Sequence, residues 1–317
     1  MTALAELAAR GKAGLAQALA AIEAQGESAA VAALLDEAAA SPRGHVLGLT
    51  GPPGVGKSTL TDALIHACRA RGLTVGVIAV DPSSRISGGA LLGDRTRMRR
   101  DPEDAGVFVR SMAARDRLGG LADLAYPAAV LMRALMDRVI VETVGVGQSE
   151  TAVADIADTV VFCAQPGSGD AVQYMKAGVM EIPDIVAVTK ADMGAVARRT
   201  AADLKGALGL AAGEGGPPPV IAVSALDGEG IDRLLAAIEE RAAVPASRLA
   251  VRRQVQAQEW LRRHLSERYG QAGLARIAAS GALGRAGRSE SGPFREARAL
   301  GEKLDAALDA AFPVVKK

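Results

Sequence analysis

The sequence is poor in the residues that would place it in several common classes of protein. Aromatic residues make up only 3% of its 317 residues, so a core must be built mainly from Ala, Val, Leu and Ile. The net charge is +1, which argues against a dominant nucleic-acid or anionic-membrane partner. We find no secretory signal pattern and no apolar stretch long enough to cross a bilayer, and therefore expect a soluble cytoplasmic protein.

Cysteine and histidine are also scarce. The two cysteines, Cys68 and Cys163, lie in separate apolar stretches, so we expect both to be buried, reduced thiols. The three histidines are scattered and lack the spacing of metal ligands. A disulfide scaffold and a His/Cys metal centre are therefore poor interpretations of this chain.

The pattern of apolar residues changes twice along the chain. A helical pattern broken near Gly26 predicts two helices in an N-terminal extension, residues 1–42. From His45 short apolar runs alternate with helical segments, which predicts an α/β domain with a mostly parallel central sheet over residues 43–245. Residues 246–317 are again helical in pattern. The predicted strands are Val46–Thr50, Thr74–Val80, Val107–Arg110, Arg138–Glu142, Thr159–Ala164, Ile185–Thr189 and Val220–Val223.

A cluster of arginines surrounds the single tryptophan, Trp260, in the last of these regions. Such a helix could bind a partner, or it could present a solvated face with the tryptophan in the core. We favour the second interpretation. The arginines are Arg252, Arg253, Arg262, Arg263 and Arg268.

The segment Gly51–Ser58 fits the pattern G-x-x-x-x-G-K-[ST] at every fixed position. A predicted strand precedes it and a helical pattern, Thr59–Arg71, follows, so a chance Gly-rich turn is the weaker interpretation. Backbone N–H groups of such a loop cradle phosphates, while Lys57 would reach the β- and γ-phosphates and Ser58 would bind Mg²⁺. The sequence thus predicts a P-loop nucleoside triphosphate hydrolase. The predicted nucleotide contacts here are Gly51, Pro52, Pro53, Gly54, Val55, Gly56, Lys57, Ser58 and Thr59.

Carboxylates follow two of the predicted strands, at the edge where ligands of parallel sheets bind. Asp81 closes one strand and Glu142 another. Each can hold Mg²⁺ or orient the attacking water, whereas a helix cap or a solvated acid is the alternative. Asp94 is either a surface acid or a mobile switch residue.

The residues after Glu142 predict a loop that approaches the γ-phosphate. Gly145 and Gly147 allow close approach, and Gln148 could position water or be an ordinary polar loop residue. The predicted catalytic residues are Lys57, Asp94, Glu142 and Gln148; Gly145 is a predicted nucleotide contact; and the predicted Mg²⁺ ligands are Ser58, Asp81, Asp94 and Glu142.

The base of the nucleotide is predicted to lie against Thr189–Asp192. The Asp192 carboxylate can accept two hydrogen bonds from N1 and N2 of guanine, a donor pair that adenine lacks, so GTP is expected rather than ATP. The stem of Lys190 could pack over the base. A backbone N–H of the segment Ser224, Ala225 and Leu226 could bond to guanine O6.

Longer matches go beyond these general motifs. The chain resembles the GTPase chaperones of vitamin B₁₂-dependent acyl-CoA mutases, the methylmalonyl-CoA mutase-associated GTPases, once labelled lysine/arginine/ornithine transport ATPases. The resemblance extends over residues 1 to about 265. Its most specific part is Val141–Glu150, and it also rests on the P-loop, Ala79–Ser84, Gly88–Gly89, Leu92–Met98, Pro166–Asp170 and Lys190–Asp192.

The resemblance implies a homodimeric Mg²⁺-dependent GTPase that gates adenosylcobalamin delivery to the mutase and protects the mutase. It implies dimerisation through the C-terminal helical region and switches around Asp81–Thr96, Glu142–Glu150 and Gln165–Gly178. Other candidate functions are a kinase or ATPase of amino-acid transport and a metal-insertion GTPase, although the last should show His or Cys clusters.

Two positions depart from the family pattern. Thr189 stands where the family usually has Asn in N-K-x-D, although Asp192 keeps the guanine contact. The connection from the helix ending near Met136 to the strand at Arg138 is also shorter than usual, which concerns local packing rather than the site.

Overall fold

The computed structural model describes residues 2–25, 28–82, 104–114, 124–143, 152–167, 182–211, 216–283 and 292–311. The strands in these ranges are β1 (His45–Thr50), β2 (Val75–Pro82), β3 (Val107–Ala114), β4 (Arg138–Glu142), β5 (Thr159–Ala164), β6 (Ile185–Val188) and β7 (Val220–Ala222). They form one sheet in the order β3-β2-β4-β1-β5-β6-β7, and every pair is parallel. The predicted α/β fold with a parallel sheet and helical extensions is confirmed.

The helices lie before the sheet, between its strands and after it. They are α1 (Ala3–Ala9), α2 (Gly11–Gln25), α3 (Ala29–Ala40), α4 (Lys57–Ala70), α5 (Ala125–Leu135), α6 (Ala195–Ala211), α7 (Ile231–Ala242), α8 (Ala246–Ala279) and α9 (Pro293–Ala311). Short 3₁₀ turns occur at Val153–Asp155 and Ala191–Met193. None of these described helices is both long and apolar enough to span a membrane.

The N-terminal extension differs from the prediction of two helices. Its described residues form three, because α1 ends at Ala9, with Arg10 as its C-cap, and α2 begins at Gly11. Gly11 has φ +55°, in the left-handed region, so the right-handed turns of α1 cannot continue through it and it can only stand at the first position of the next helix. The predicted break near Gly26 lies between α2 and α3, although Gly26 itself is outside the described residues.

Helices cover both faces of the sheet, which explains why the strands are apolar runs rather than alternating ones. In β1, Val46 packs towards α1–α3 and α5, whereas Leu47 and Leu49 pack towards α4 and α7.

Cys68 and Cys163 are both buried and free, as predicted, and burial raises the pKa of the Cys163 thiol to about 12. The connection from α5 to β4 is short, and Asp137 in it accepts hydrogen bonds from Thr74.

Helix α8 lies along the amino edge of the sheet, where each strand begins. Arg253 donates to both oxygens of Asp158 at 2.8 Å, immediately before β5. Arg263 pairs with Asp155, and Arg252 pairs with Asp184 before β6. These three arginines are therefore ion-paired to the sheet domain rather than forming a solvated face.

Trp260 is partly buried and packs against the core, close to the interpretation that we favour from the sequence. Its ring stacks on Tyr126 of α5 at 5.6 Å between centroids and contacts Phe294 of α9 at 4.6 Å. Asp36 of α3 accepts hydrogen bonds from the N–H groups of Phe294 and Arg295 and so caps the start of α9. The N- and C-terminal helices thus pack against one another, while the three-part division of the chain stays a prediction.

His45, the first residue of β1, is buried at this same edge, 3% exposed. Its Nε2 lies 2.8 Å from the Thr159 hydroxyl. Burial lowers the pKa of the imidazole to about 4, so the ring is neutral in the folded protein near pH 7. The charged groups around it are Asp158, Arg138, Arg253 and Glu239.

We expect the free energy of unfolding to fall as the pH is lowered from about 6.5 to about 4. In that range the unfolded chain protonates His45 and the folded protein does not, which costs about 3 kcal/mol over the whole range. The variant H45Q should have a flatter pH dependence than the wild type, measured by urea unfolding followed by Trp260 fluorescence.

The matched control for this prediction is H66Q. His66 lies on α4 with a side chain that is 69% exposed, so H66Q replaces a histidine outside the core and should keep the wild-type free energy of unfolding at pH 7. Equal slopes for H45Q and wild type would contradict the assignment.

Candidate nucleotide-binding site

The segment Gly51–Gly56 joins the central strand β1 to α4 in a conformation that needs glycine. Gly51 has φ +136°, and a Cβ atom there would lie 2.3 Å from the carbonyl oxygen of Cys163 on the neighbouring strand. Gly54 and Gly56 have φ +73° and +102°. The spacing of glycines in the sequence therefore corresponds to a P-loop turn at the carboxyl edge of the sheet.

The first turn of α4 offers its backbone N–H groups to an anion. The helix begins at Lys57, and its N-cap, Gly56, provides no capping side chain. The Lys57 ammonium lies across the loop and donates to the carbonyls of Gly51 at 2.8 Å and Pro52 at 3.0 Å. Loop, helix end and ammonium together form a site for phosphate groups.

Two hydroxyl groups of α4 converge on one carboxylate from β4. Ser58 Oγ donates to Glu142 Oε1 at 2.5 Å, and Thr61 Oγ1 donates to Oε2 at 2.8 Å. Glu142 is only 5% exposed. Two of the predicted Mg²⁺ ligands, Ser58 and Glu142, are thus brought together, and their oxygens are of the type that Mg²⁺ prefers.

The remaining predicted switch residues are placed only in part. Ala79 of β2 lies opposite Glu142 of β4. Asp81 follows Ala79 by two residues, so the Asp81 backbone lies about 7 Å beyond the level of Glu142 along the strand. The side chain of Asp81 lies outside the described residues. Asp94, Gly145 and Gln148 also lie outside them.

The segment Thr189–Asp192 is tied to the P-loop. The Thr189 hydroxyl lies 2.7 Å from the carbonyl oxygen of Val55 and 3.1 Å from that of Ala164, and Thr189 is 4% exposed. Lys190 Nζ donates to the carbonyl of Gly54 at 3.1 Å. Lys190 itself has φ +53°, a left-handed conformation that is unusual for a residue with a side chain.

The two predicted base-binding segments are neighbours. The Ala191 N–H donates to the carbonyl of Val223 at 3.0 Å, which sets Ser224–Leu226 beside Asp192. Asp192 is exposed at the start of its 3₁₀ turn. Ser224 is buried, with its hydroxyl 3.3 Å from the Asp227 backbone nitrogen, while Leu226 is 80% exposed.

Sequence reasoning missed three contacts in this site. Thr61 is the second hydroxyl on Glu142, and it could have been found because residues three apart share one face of a helix. Gln165 Oε1 accepts from Lys190 Nζ at 3.2 Å. The hydroxyl of Thr189 was treated only as a departure from N-K-x-D, yet it connects the base segment to the P-loop.

Comparisons with known proteins agree with this geometry. The sequence model of the methylmalonyl Co-A mutase-associated GTPase MeaB matches residues 15–276. This chain belongs to the MeaB family of GTPases. A crystal structure of a LAO/AO transport system kinase is 31% identical, has a TM-score of 0.66, and the match covers 95% of this chain and 97% of that one.

Two curated relatives match the central part of the chain. A protein of Pyrococcus horikoshii named as a GTPase is 50% identical over 201 residues, 62% of this chain and 63% of the relative. The mitochondrial methylmalonic aciduria type A homolog of Mus musculus is 40% identical over 222 residues, 68% of this chain and 54% of the relative. The matches thus span less than two thirds of the length of these relatives.

We expect T189V to weaken the binding of GDP about fivefold. Valine has the shape of threonine but leaves the buried carbonyl of Val55 without its hydroxyl partner, at a cost of about 1 kcal/mol in the ordered site. Titration with a fluorescent GDP analogue measures the effect. T189S keeps the hydroxyl and should bind like the wild type; equal affinities for T189V and T189S would show that the hydroxyl does not support the site.

Proposed function

We propose that this chain binds and hydrolyses GTP with Mg²⁺ and uses the cycle to act as a chaperone of a B₁₂-dependent acyl-CoA mutase. The observation that carries the nucleotide part is the link between the P-loop and the base segment. Thr189 and Lys190 both bond to P-loop carbonyls, so a bound nucleotide would contact phosphate-binding and base-binding groups that are held in one unit.

The described residues of the site would have separate roles in binding the phosphates and Mg²⁺. The N–H groups at the start of α4 and the Lys57 ammonium would bind the phosphate oxygens and stabilise the charge that develops during hydrolysis. When bound, Mg²⁺ would supply further positive charge at the β- and γ-phosphates. The Ser58 hydroxyl and the Glu142 carboxylate fit it, because Mg²⁺ takes few protein ligands beside phosphate and water.

Asp192 is the proposed determinant of base choice. It is exposed next to Ser224–Leu226, where a carboxylate can accept from N1 and N2 of guanine. Lys190, held by its bond to Gly54, can cover one face of the ring with its stem. GTP is therefore the proposed substrate rather than ATP.

The chaperone part rests on family membership rather than on the site. We propose that the γ-phosphate orders the segments containing Asp94, Gly145 and Gln148, and that the ordered state binds the mutase differently from the GDP state. The mutase is of the methylmalonyl-CoA mutase type, and the cycle gates delivery of adenosylcobalamin and protects the mutase. Residues 1–42, 43–245 and 246–317 are the proposed extension, GTPase domain and homodimerisation region.

The first prediction concerns turnover. Phosphate release should be slow with GTP, should rise when methylmalonyl-CoA mutase is added, and should be small with ATP. K57A should abolish release under all conditions, because the charge that stabilises the transferring phosphate is removed. Equal use of ATP, or a rate that the mutase leaves unchanged, would favour a kinase or ATPase of amino-acid transport instead.

A second prediction tests the base contact. In D192N an amide replaces the carboxylate, so the paired acceptors for guanine N1 and N2 are lost and a donor for the C2 carbonyl of xanthine is gained. GTP should bind at least about tenfold more weakly and XTP more tightly than to the wild type. D203N, an exposed aspartate on α6, is the matched control; a D192N protein that still prefers GTP would sink the assignment.

A further inference from the structure

A second cavity lies at the amino edge of the sheet, at the opposite end of β1 from the P-loop. Its volume is about 790 Å³, within the range of small-molecule sites. Its walls come from the chain between α3 and β1, from α5, from the end of α7 and from the first turns of α8. Gly292, Pro293 and Glu296 at the start of α9 complete it. The proposed GTPase function makes no use of this cavity.

Two guanidinium groups at the cavity share one buried carboxylate. Arg253 donates to both oxygens of Asp158, whose side chain is 0% exposed. Arg133 Nη1 lies 3.8 Å from the same carboxylate, beyond hydrogen-bond distance. One carboxylate balances one guanidinium, so this wall keeps a positive charge that is out of water. The cavity's other arginines, Arg43 and Arg138, have carboxylates of their own in Asp137 and Glu239.

Polar atoms at this wall are buried without a hydrogen-bond partner among the described residues. They include Nε of Arg133 and Nδ1 of His45, and each of these residues is only 3% exposed. The Thr159 hydroxyl can donate to His45 Nε2, and the neutral ring then carries its proton at Nδ1. In that tautomer His45 Nδ1 is a donor that lies 3.8 Å from Asp158 Oδ2, beyond hydrogen-bond distance. Two donors that lack acceptors then lie beside the second guanidinium, an arrangement that an anion would satisfy.

Another part of the lining is apolar and can contact the hydrocarbon part of a ligand. Tyr126, Leu249, Ala257 and Leu261 present apolar surface to the cavity. Glu296 is the carboxylate on the α9 side; its Oε2 is buried without a hydrogen-bond partner among the described residues, and burial together with the neighbouring Asp36 raises the pKa of its carboxyl.

We propose that this cavity binds a small organic anion, with its carboxylate or phosphate group on Arg133 and His45 and its apolar part against Tyr126, Ala257 and Leu261. Such a ligand would contact the N-terminal extension, the sheet domain and α8 at once. It would stabilise their junction without touching the nucleotide site.

Binding can be tested by calorimetry with three probes of equal chain length, in excess GDP so that the P-loop does not capture an anion. Hexanoate or hexyl phosphate should bind, whichever head group the site prefers, and neutral hexanol should bind at least about tenfold more weakly. The ratio of the two anions distinguishes a carboxylate site from a phosphate site.

Two variants locate the site. R133M removes the guanidinium whose Nε lacks a hydrogen-bond partner, and A257L fills the cavity without changing a charge. Both should lose anion binding while keeping GDP binding. The control is R248M. Arg248 is an exposed arginine on α8, the helix that carries Arg253, but it does not line the cavity, so R248M should bind the anion like the wild type.

The proposal fails if neither anion binds the wild type at millimolar concentration, or if hexanol binds as well as the anions. It also fails if binding persists in A257L, which decides the question even where R133M does not fold. None of these outcomes depends on whether GTP is hydrolysed.

Discussion

Asp158 holds the central strand of the sheet at its first residues. Its Oδ2 accepts from the Val46 N–H at 2.9 Å, and its own N–H donates to the Val46 carbonyl at 2.8 Å. The six residues of β1 then run about 20 Å to the P-loop. Because a strand is stiff along its length, the position of Gly51 at one edge depends on the bonds that Val46 makes at the other.

The same carboxylate fixes the position of α8. A fully buried charge is stable only where it is paired and hydrogen-bonded, and Arg253 of α8 supplies both. Gln256, one turn on, donates to the carbonyl of Ala157 at 2.8 Å. The amino edge is therefore held by charge pairs from α8. At the carboxyl edge, the described residues that can bind a polyanion are backbone N–H groups, hydroxyls and the ammonium groups of Lys57 and Lys190.

Much of this fold was predictable because the signal was local. The strands Arg138–Glu142 and Thr159–Ala164 were predicted with their observed bounds, since each is an apolar run with polar residues on both sides. The P-loop conformation follows from glycines that only a turn of this kind requires. The break at Gly11 was missed because the apolar spacing continues through it, and φ at a single glycine leaves no trace in the periodicity.

The contacts that could not be predicted join residues far apart in sequence. Arg253 lies 95 residues from Asp158, and Arg263 lies 108 residues from Asp155, so the arginine cluster looked like a solvated face. The pairing becomes visible only once the fold places α8 along the strand beginnings. The switch residues Asp94 and Gln148 stay predictions for the same reason, since sequence gives their spacing and not their distance from a phosphate.

Thr189 shows how one substitution can change which residues of the proposed site bind the P-loop and which bind the base. An asparagine there has an amide that can donate to the P-loop and an oxygen that remains available to the base. A threonine hydroxyl has one proton, and the two carbonyls beside it, Val55 and Ala164, both compete for that proton. The link across 134 residues is kept, and under the proposed function the choice of guanine would fall on Asp192 and the turn at Ser224–Leu226.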